Sequence, residues 1–415
     1  MPQFSRVAEI FAVFLKLGCI CFGGPVAHLG YFHDEFVRQR RWLDEAHYTD
    51  LIALCNFLPG PASSQTVFAI GMGRAGLAGA LAGSVAFMLP SAVVMILFGY
   101  GLAQLGDVAT AGWLHGLKLA AAAVVAQAVL QMARRLCPDF PRALLALAAG
   151  ATVLLLPGAY AQIAVLAAGG AVGWMMRFRF AVCGLPTGNA AGGSPKQNPT
   201  VAKLQTGNWK PKTSHKFAAA VLLIYLALLF ILPPLAMASG HRSAKVFASF
   251  YRAGALVFGG GHVVLPLLRA EVVPPGWIGD SSFLAGYGAA QALPGPLFTF
   301  AAYLGTMIFA GPHAWLGGLL CLFAIYLPAW LVVGGALPFW HTLRGKTWAQ
   351  GALRGANAAV VGILFAALVY PISFETINDW RDAGLALAAL LLLEKWRVPP
   401  WAVVLLAAAA GQWFV

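Results

Sequence analysis

The chain has 415 residues, 60% of them hydrophobic and 10% charged, with a formal net charge of +13. Soluble globular domains are about 25% charged, so this composition excludes one and reads as a polytopic membrane protein. The positive charge is no argument for nucleic acid, because the Lys and Arg residues sit in short loops between apolar runs, as the positive-inside rule produces.

In chain order, the first apolar segment is 7–33, interrupted by Phe22-Gly23-Gly24-Pro25. Arg6 before an apolar run mimics a signal peptide, but no small-x-small cleavage site follows and more segments come after it, so it reads as a membrane segment. A loop, Asp34–His47, carries Arg38, Arg40, Arg41 and Trp42. Segment 48–73 is interrupted by Pro59-Gly60-Pro61, and ordinary spans follow at 76–104, 112–133, 142–157 and 160–177. Residues 181–216, rich in Gly, Pro, Asn and Thr, with lysines and no acid, read as a flexible basic linker between repeats 1–180 and 217–415. Beyond it come a span at 217–236 and segments 246–268 and 283–310, interrupted by Phe258-Gly259-Gly260 and Pro294-Gly295-Pro296. Spans at 314–339, 352–370, 383–397 and 398–414 complete thirteen apolar segments, each ordinary one near the length that crosses ~30 Å of hydrocarbon. The fold class expected is all-α, and the interrupted segments either cross once or fold back as helical hairpins. Cys19, Cys21, Cys55, Cys137, Cys183 and Cys321 form no CxxC pair and read as small hydrophobes. A Walker A sequence is absent, which argues against an ATP-driven pump.

The second half repeats the first. Lys16-to-Pro25 answers Arg252-to-Gly261 at an offset of 236, with a cation six residues before each Phe-Gly-Gly. Pro59-Gly60-Pro61 answers Pro294-Gly295-Pro296, and Trp42 answers Trp277, at an offset of 235. Gly79–Ser91 answers Gly317–Ala329 at 238. A near-constant offset over several motifs indicates duplication. Matching loops differ in charge: Arg134, Arg135 and Arg142 against Glu375, Asp379, Arg381 and Asp382, and the turn at Asp107 against His341, Arg344, Lys346 and Arg354. Basic short loops stay in the cytoplasm. The halves are therefore expected to lie inverted, an arrangement found in secondary transporters with a site near the midplane.

Breaks at Gly23-Gly24-Pro25, Pro59-Gly60-Pro61, Gly259-Gly260 and Pro294-Gly295-Pro296 free backbone groups that membrane proteins tolerate only in protein or beside a polar cavity. Each break starts a half-helix whose N–H groups and dipole suit an anion, although kinking or tight packing explains a single such motif equally well. Lys16 and Arg252 either add charge to that zone or snorkel to the interface. Asn56 and Gln291, and Ser64 and Thr299, stand at equivalent places around the two Pro-Gly-Pro motifs and offer neutral donors, with a satisfied core hydrogen bond as the alternative. His28, His262 and Trp42 are candidates for gating or coupling, or else ordinary polar residues lining a cavity. Glu9 and Glu394 sit near segment ends and the other acids read as loop residues, so no metal site and no cofactor are expected and the substrate should be an anion.

Phe22-Gly23-Gly24-Pro25, Trp42, Leu58-Pro59-Gly60-Pro61 and their second-half echoes resemble the two-domain members of the chromate ion transporter family, over the whole chain outside the linker. Gly261 in place of Pro25 is a departure. The resemblance implies export of chromate across a bacterial inner membrane, chromate resistance and two antiparallel halves, while the lack of a His cluster, a paired-Asp arrangement or a haem or flavin signature in the interrupted segments argues against the rival reading of a membrane-embedded enzyme. It lends functional weight to Gly23, Gly24, Pro25, Trp42, Pro59, Gly60 and Pro61. Sulfate transport and an anion channel stay open as alternatives, as does the oligomeric state, a homodimer included. For a dianion, an inside-negative potential of 100 mV favours exit by about 4.6 kcal/mol.

Overall fold

Paired glycines and prolines at the breaks in the apolar runs set where several of the helices start and stop. The computed structural model describes residues 3–104, 112–176, 214–340 and 346–414, and every regular element among them is a helix. The linker up to residue 213, Asp107, His341 and Arg344 lie outside the described residues.

The first half contains α1 (Gln3–Ile20), α2 (Gly24–His33), α3 (Glu45–Phe57), α4 (Ala62–Gln104), α5 (Gly112–Leu136), α6 (Phe140–Leu155) and α7 (Ala159–Met176). Helices α8 (His215–Phe230) and α9 (Leu232–Ser239) follow, bent by 45° at their junction. The second half contains α10 (Arg242–Ala255), α11 (Val264–Val272), α12 (Asp280–Gln291), α13 (Phe300–Ile308), α14 (Ala314–Ala336), α15 (Thr347–Ala367), α16 (Trp380–Glu394) and α17 (Pro400–Phe414). Helix α4 is two helices joined at a bend: Ala75 and Gly76 leave helical geometry, and the backbones of Gly71 and Gly79 meet across it. The bend falls between the segments expected at 48–73 and 76–104.

The broken segments fold back on themselves. Lys16 Nζ lies 3.3 Å from Glu35 Oε2, and Arg40 Nη1 lies 3.3 Å from Glu9 Oε1. In one continuous helix, Lys16 and Glu35 would be ~28 Å apart. In the second half Arg252 reaches Glu271 in the same way. Tyr303 Oη donates to the carbonyl of Ser282 at 2.8 Å, which folds α13 back on α12.

Five helices among the described residues are long and apolar enough to cross a membrane, or six with bent α8–α9 as one span. Others of the thirteen expected segments are apolar but short: Phe140–Leu155, Leu297–Ile308 and Pro400–Trp413.

The halves exchange helices. Helix α5 packs on α16 and α17, and α15 packs on α6 and α7. Gly112 and Gly116 meet Gly411 and Ala407, and the matching residues Gly351 and Gly355 meet Gly173 and Gly169. At these crossings a Cβ would collide with backbone atoms of the facing helix. Small residues are the usual device for close helix approach in lipid, where apolar side chains gain nothing by leaving the hydrocarbon.

Candidate functional site

The two kinds of break interlock across the halves. Gly60 N–H donates to the carbonyl of Val257 at 2.7 Å, and Gly295 N–H donates to that of Cys21 at 2.8 Å. Each Pro-Gly-Pro turn is thus held by the residue just before the other half's Phe-Gly-Gly. Both glycines have positive φ, 119° and 93°. A side chain costs ~1–2 kcal/mol in left-handed backbone, and the space is filled as well. A Cβ on Gly60 would lie 2.6 Å from Gln65 Nε2, and one on Gly295 would lie 3.0 Å from Ser91 Oγ.

Beside this core lies a cavity of about 420 Å³. Gly23 and Gly24 line it from the first break, Val124, Gln127 and Gln131 from α5, His262 and Gln291 from the second half, and Leu393, Glu394, Arg397 and Pro399 from the α16–α17 turn. Gly23 takes a left-handed conformation, and Pro25 lies in the first turn of α2, so unpaired N–H groups begin beside this wall. Gln291 Nε2 is buried and, among the described residues, makes no hydrogen bond of good geometry, with the Tyr287 hydroxyl its one nearby candidate. A buried amide donor left without a partner costs ~1–3 kcal/mol, which an oxygen-rich ligand in the cavity would recover. His262 Nδ1 and Tyr287 Oη are hydrogen-bonded at 2.9 Å, the direction following the tautomer. Glu394 binds Arg134, which offsets its charge and leaves Arg397 to bias the wall towards anions.

The cavity therefore brings together Gly23, Gly24, His262 and Gln291 of the expected site. The rest lie elsewhere. Asn56 is exposed and donates to Ile52 of its own helix at 2.9 Å. Pro59 accepts from Gln65 Nε2 at 2.5 Å, and Thr299 is buried, donating to the carbonyl of Pro296 at 2.9 Å. Ser64 and Pro296 line a separate tight space with Ser84, Phe87, Met88 and Tyr326. Gly259 and Gly260 abut Met132 of α5. His28 is buried with its ring edge-on to Phe87 at 5.6 Å. Trp42 is stacked on Phe36 and flanked by Arg74 and Arg40, whose guanidiniums lie 4.2 and 5.6 Å from its ring.

Lys16 and Arg252 are not lone cations. Glu35 and Glu271, at the same offset of 236, are buried and take up their charge, whereas the sequence reading left these acids in loops. Arg252 is enclosed, with 14% of its side chain exposed, while Lys16 is 57% exposed. Sequence reasoning also missed Gln127 and Gln131, although two glutamines four residues apart on an apolar helix share one face.

The sequence pattern of the family described as "Chromate transporter" matches residues 8–174 and 244–412. The chain is 28% identical to a "Chromate transport protein" of Pseudomonas aeruginosa over 100% of this chain and 94% of that one. It is 25% identical to one of Cupriavidus metallidurans over 94% of this chain and 88% of that one. An "Uncharacterized transporter" of Bacillus subtilis, YwrB, is 30% identical over 41% of this chain and 87% of its own length. No solved structure matches.

Proposed function

The chain belongs to the chromate transporter family, a family of membrane transport proteins, and on that premise we propose that it exports chromate from the cytoplasm by alternating access around the 420 Å³ cavity. The observation that carries this reading is the meeting of both halves at that cavity. Gly23-Gly24 comes from one half, and His262 and the buried amide of Gln291 come from the other. Tetrahedral oxyanions accept hydrogen bonds from several directions, and neutral donors bind them without holding them fast.

The two halves lie inverted in the inner membrane in this reading. Arg134, Arg135 and Arg142 then face the cytoplasm, while Glu375, Asp379 and Asp382 face outwards. Arg134, Glu394 and Arg397 share the cytoplasmic end, so the cavity opens inwards, where an exported ion enters. The hairpins α1–α2 and α10–α11 enter the bilayer and return. Their breaks meet the Pro-Gly-Pro turns near the midplane. The potential supplies about 4.6 kcal/mol per dianion at 100 mV in the outward direction.

Chromate uptake into everted membrane vesicles, with sulfate as competitor, tests the reading. Gln291→Leu and Arg397→Gln should each raise the half-saturating chromate concentration at least severalfold in protein that still inserts. Wild-type saturation in both variants would remove the cavity from the pathway.

A further inference from the structure

Helices α5 and α16 run side by side from the cavity to the opposite end of the bundle. At the cavity end, Gln127 Nε2 donates to the carbonyl of Leu393 at 3.0 Å, and Arg134 binds Glu394. At the other end, His115 Nε2 lies 2.7 Å from Asp382 Oδ1. Twelve residues separate His115 from Gln127 and Asp382 from Glu394, a rise of ~18 Å on each helix. Both residues of the His–Asp pair are buried, with 8% and 5% of their side chains exposed. Asp382 Oδ2 accepts the N–H of Asn378 at 2.9 Å.

The duplication supplies an internal comparison. Helix α15 packs on α6 as α5 packs on α16, and the residues matching His115 and Asp382 are Arg354 and Arg142. Guanidiniums keep their protons at any physiological pH, whereas imidazole takes and releases one between pH 5 and 8. Of two symmetry-related crossings, one thus carries two arginines and the other a histidine and an aspartate. Ionisable groups inside a membrane protein are costly and mark ion or proton paths.

We propose that His115 and Asp382 form a proton-binding site that couples inward proton movement to outward movement of the oxyanion, a step that rests on the transport reading above. A proton from the outer face adds to the pair, taking it from a neutral imidazole and carboxylate to an imidazolium–carboxylate pair. It leaves to the cytoplasm when the site turns inwards. Among the described residues, the charged and titratable neighbours are few, and α15, which also packs on α5, contributes only Arg354. Lys118, on α5 itself, donates to Ser281 Oγ at 3.1 Å and feels Glu375 and Asp382. Asp280 of α12 is held by Arg269, Asp379 caps the start of α16, and α17 has no charged residue. Because α5 and α16 also wall the cavity, loading the pair acts on the same two helices that hold the anion.

The test reconstitutes the full chain into vesicles, clamps the potential with potassium and valinomycin, and follows chromate efflux with a trapped pH dye. In the wild type, a tenfold proton gradient, acid outside, should support up to about a tenfold larger chromate gradient per proton exchanged. Protons should enter as chromate leaves. His115→Gln, which keeps a hydrogen bond to Asp382, and Asp382→Asn should carry chromate with no response to the proton gradient and no dye signal. If Asp382→Asn does not fold, His115→Gln decides alone. A wild-type response in the folded variants, or wild-type chromate flux indifferent to the gradient, overturns the proton site and leaves the transport reading standing. Absence of wild-type chromate flux under every gradient overturns both.

Discussion

Arg252 grips Glu271 with two parallel hydrogen bonds, Nε to Oε1 at 2.6 Å and Nη2 to Oε2 at 2.5 Å. This fork joins α10 to α11 across the Phe-Gly-Gly break and so holds the second hairpin closed. Removing one member of a buried pair strands the other charge, at about 3–5 kcal/mol. Arg252→Gln should therefore lower the melting temperature in detergent markedly, and adding Glu271→Gln should restore most of it. Failure of the double variant to recover would mean that Arg252 acts beyond the pair. Lys16→Gln should be far milder, because Lys16 is largely exposed and Glu35 also accepts from Arg40 at 2.6 Å.

Gly60 and Gly295 combine positive φ with a filled space on their Cβ side. Gly60→Leu or Gly295→Leu should cut chromate flux in everted vesicles at least tenfold. Alanine should cost less, ~1–2 kcal/mol of backbone strain plus local crowding. Unchanged flux in both leucine variants would show that the interlocked turns can be loosened without consequence.

At Gly116 and Gly355, a Cβ would enter the backbone of Ala407 and Gly169 respectively. Either substituted with valine should separate the exchanged helices and lower thermal stability by about 1–3 kcal/mol or more, on the scale of overpacking in a core. The two variants should be alike, because the crossings are copies. A large difference in melting temperature between them would mean that one crossing is dispensable.

Outside the spans, Asp139 accepts from the Arg142 guanidinium and caps α6, and the Arg142 bond holds its carboxyl below the ordinary aspartate range. The folded-state value is the lower one, so the contribution is complete above the ordinary value of about 3.9 and is lost as pH falls through the folded-state value. The melting temperature of Asp139→Asn should fall below that of the wild type at pH 7, with the gap narrowing below about pH 4. A gap of constant size through that range would contradict the assignment.

The duplication was legible because Phe-Gly-Gly, Pro-Gly-Pro and Trp42 recur at nearly one offset. The bend at Ala75–Gly76 was legible as the gap between two apolar segments. The partners of the repeated cations were present in the sequence as well, since Glu35 and Glu271 recur at the offset of Lys16 and Arg252. They were hidden by treating acids near loops as solvated. Two features leave no local trace. His115 and Asp382 lie 267 residues apart, so only the exchange of helices unites them. Gln291 belongs to the cavity and its counterpart Asn56 faces outwards, because the cavity takes its walls unequally from the two halves.

The exchanged glycine crossings also set a timetable for synthesis. Gly173 of α7 meets Gly351 only after the intervening chain has been made, on the order of ten seconds or more at about 5–20 residues per second. Throughout that interval the first half rests in the bilayer with the small-residue faces of α5 and α7 uncovered. A fragment carrying only the second half's α15 or α17 would fit those faces as the proper partner does. Half-length fragments of this chain should therefore compete with its own second half during assembly.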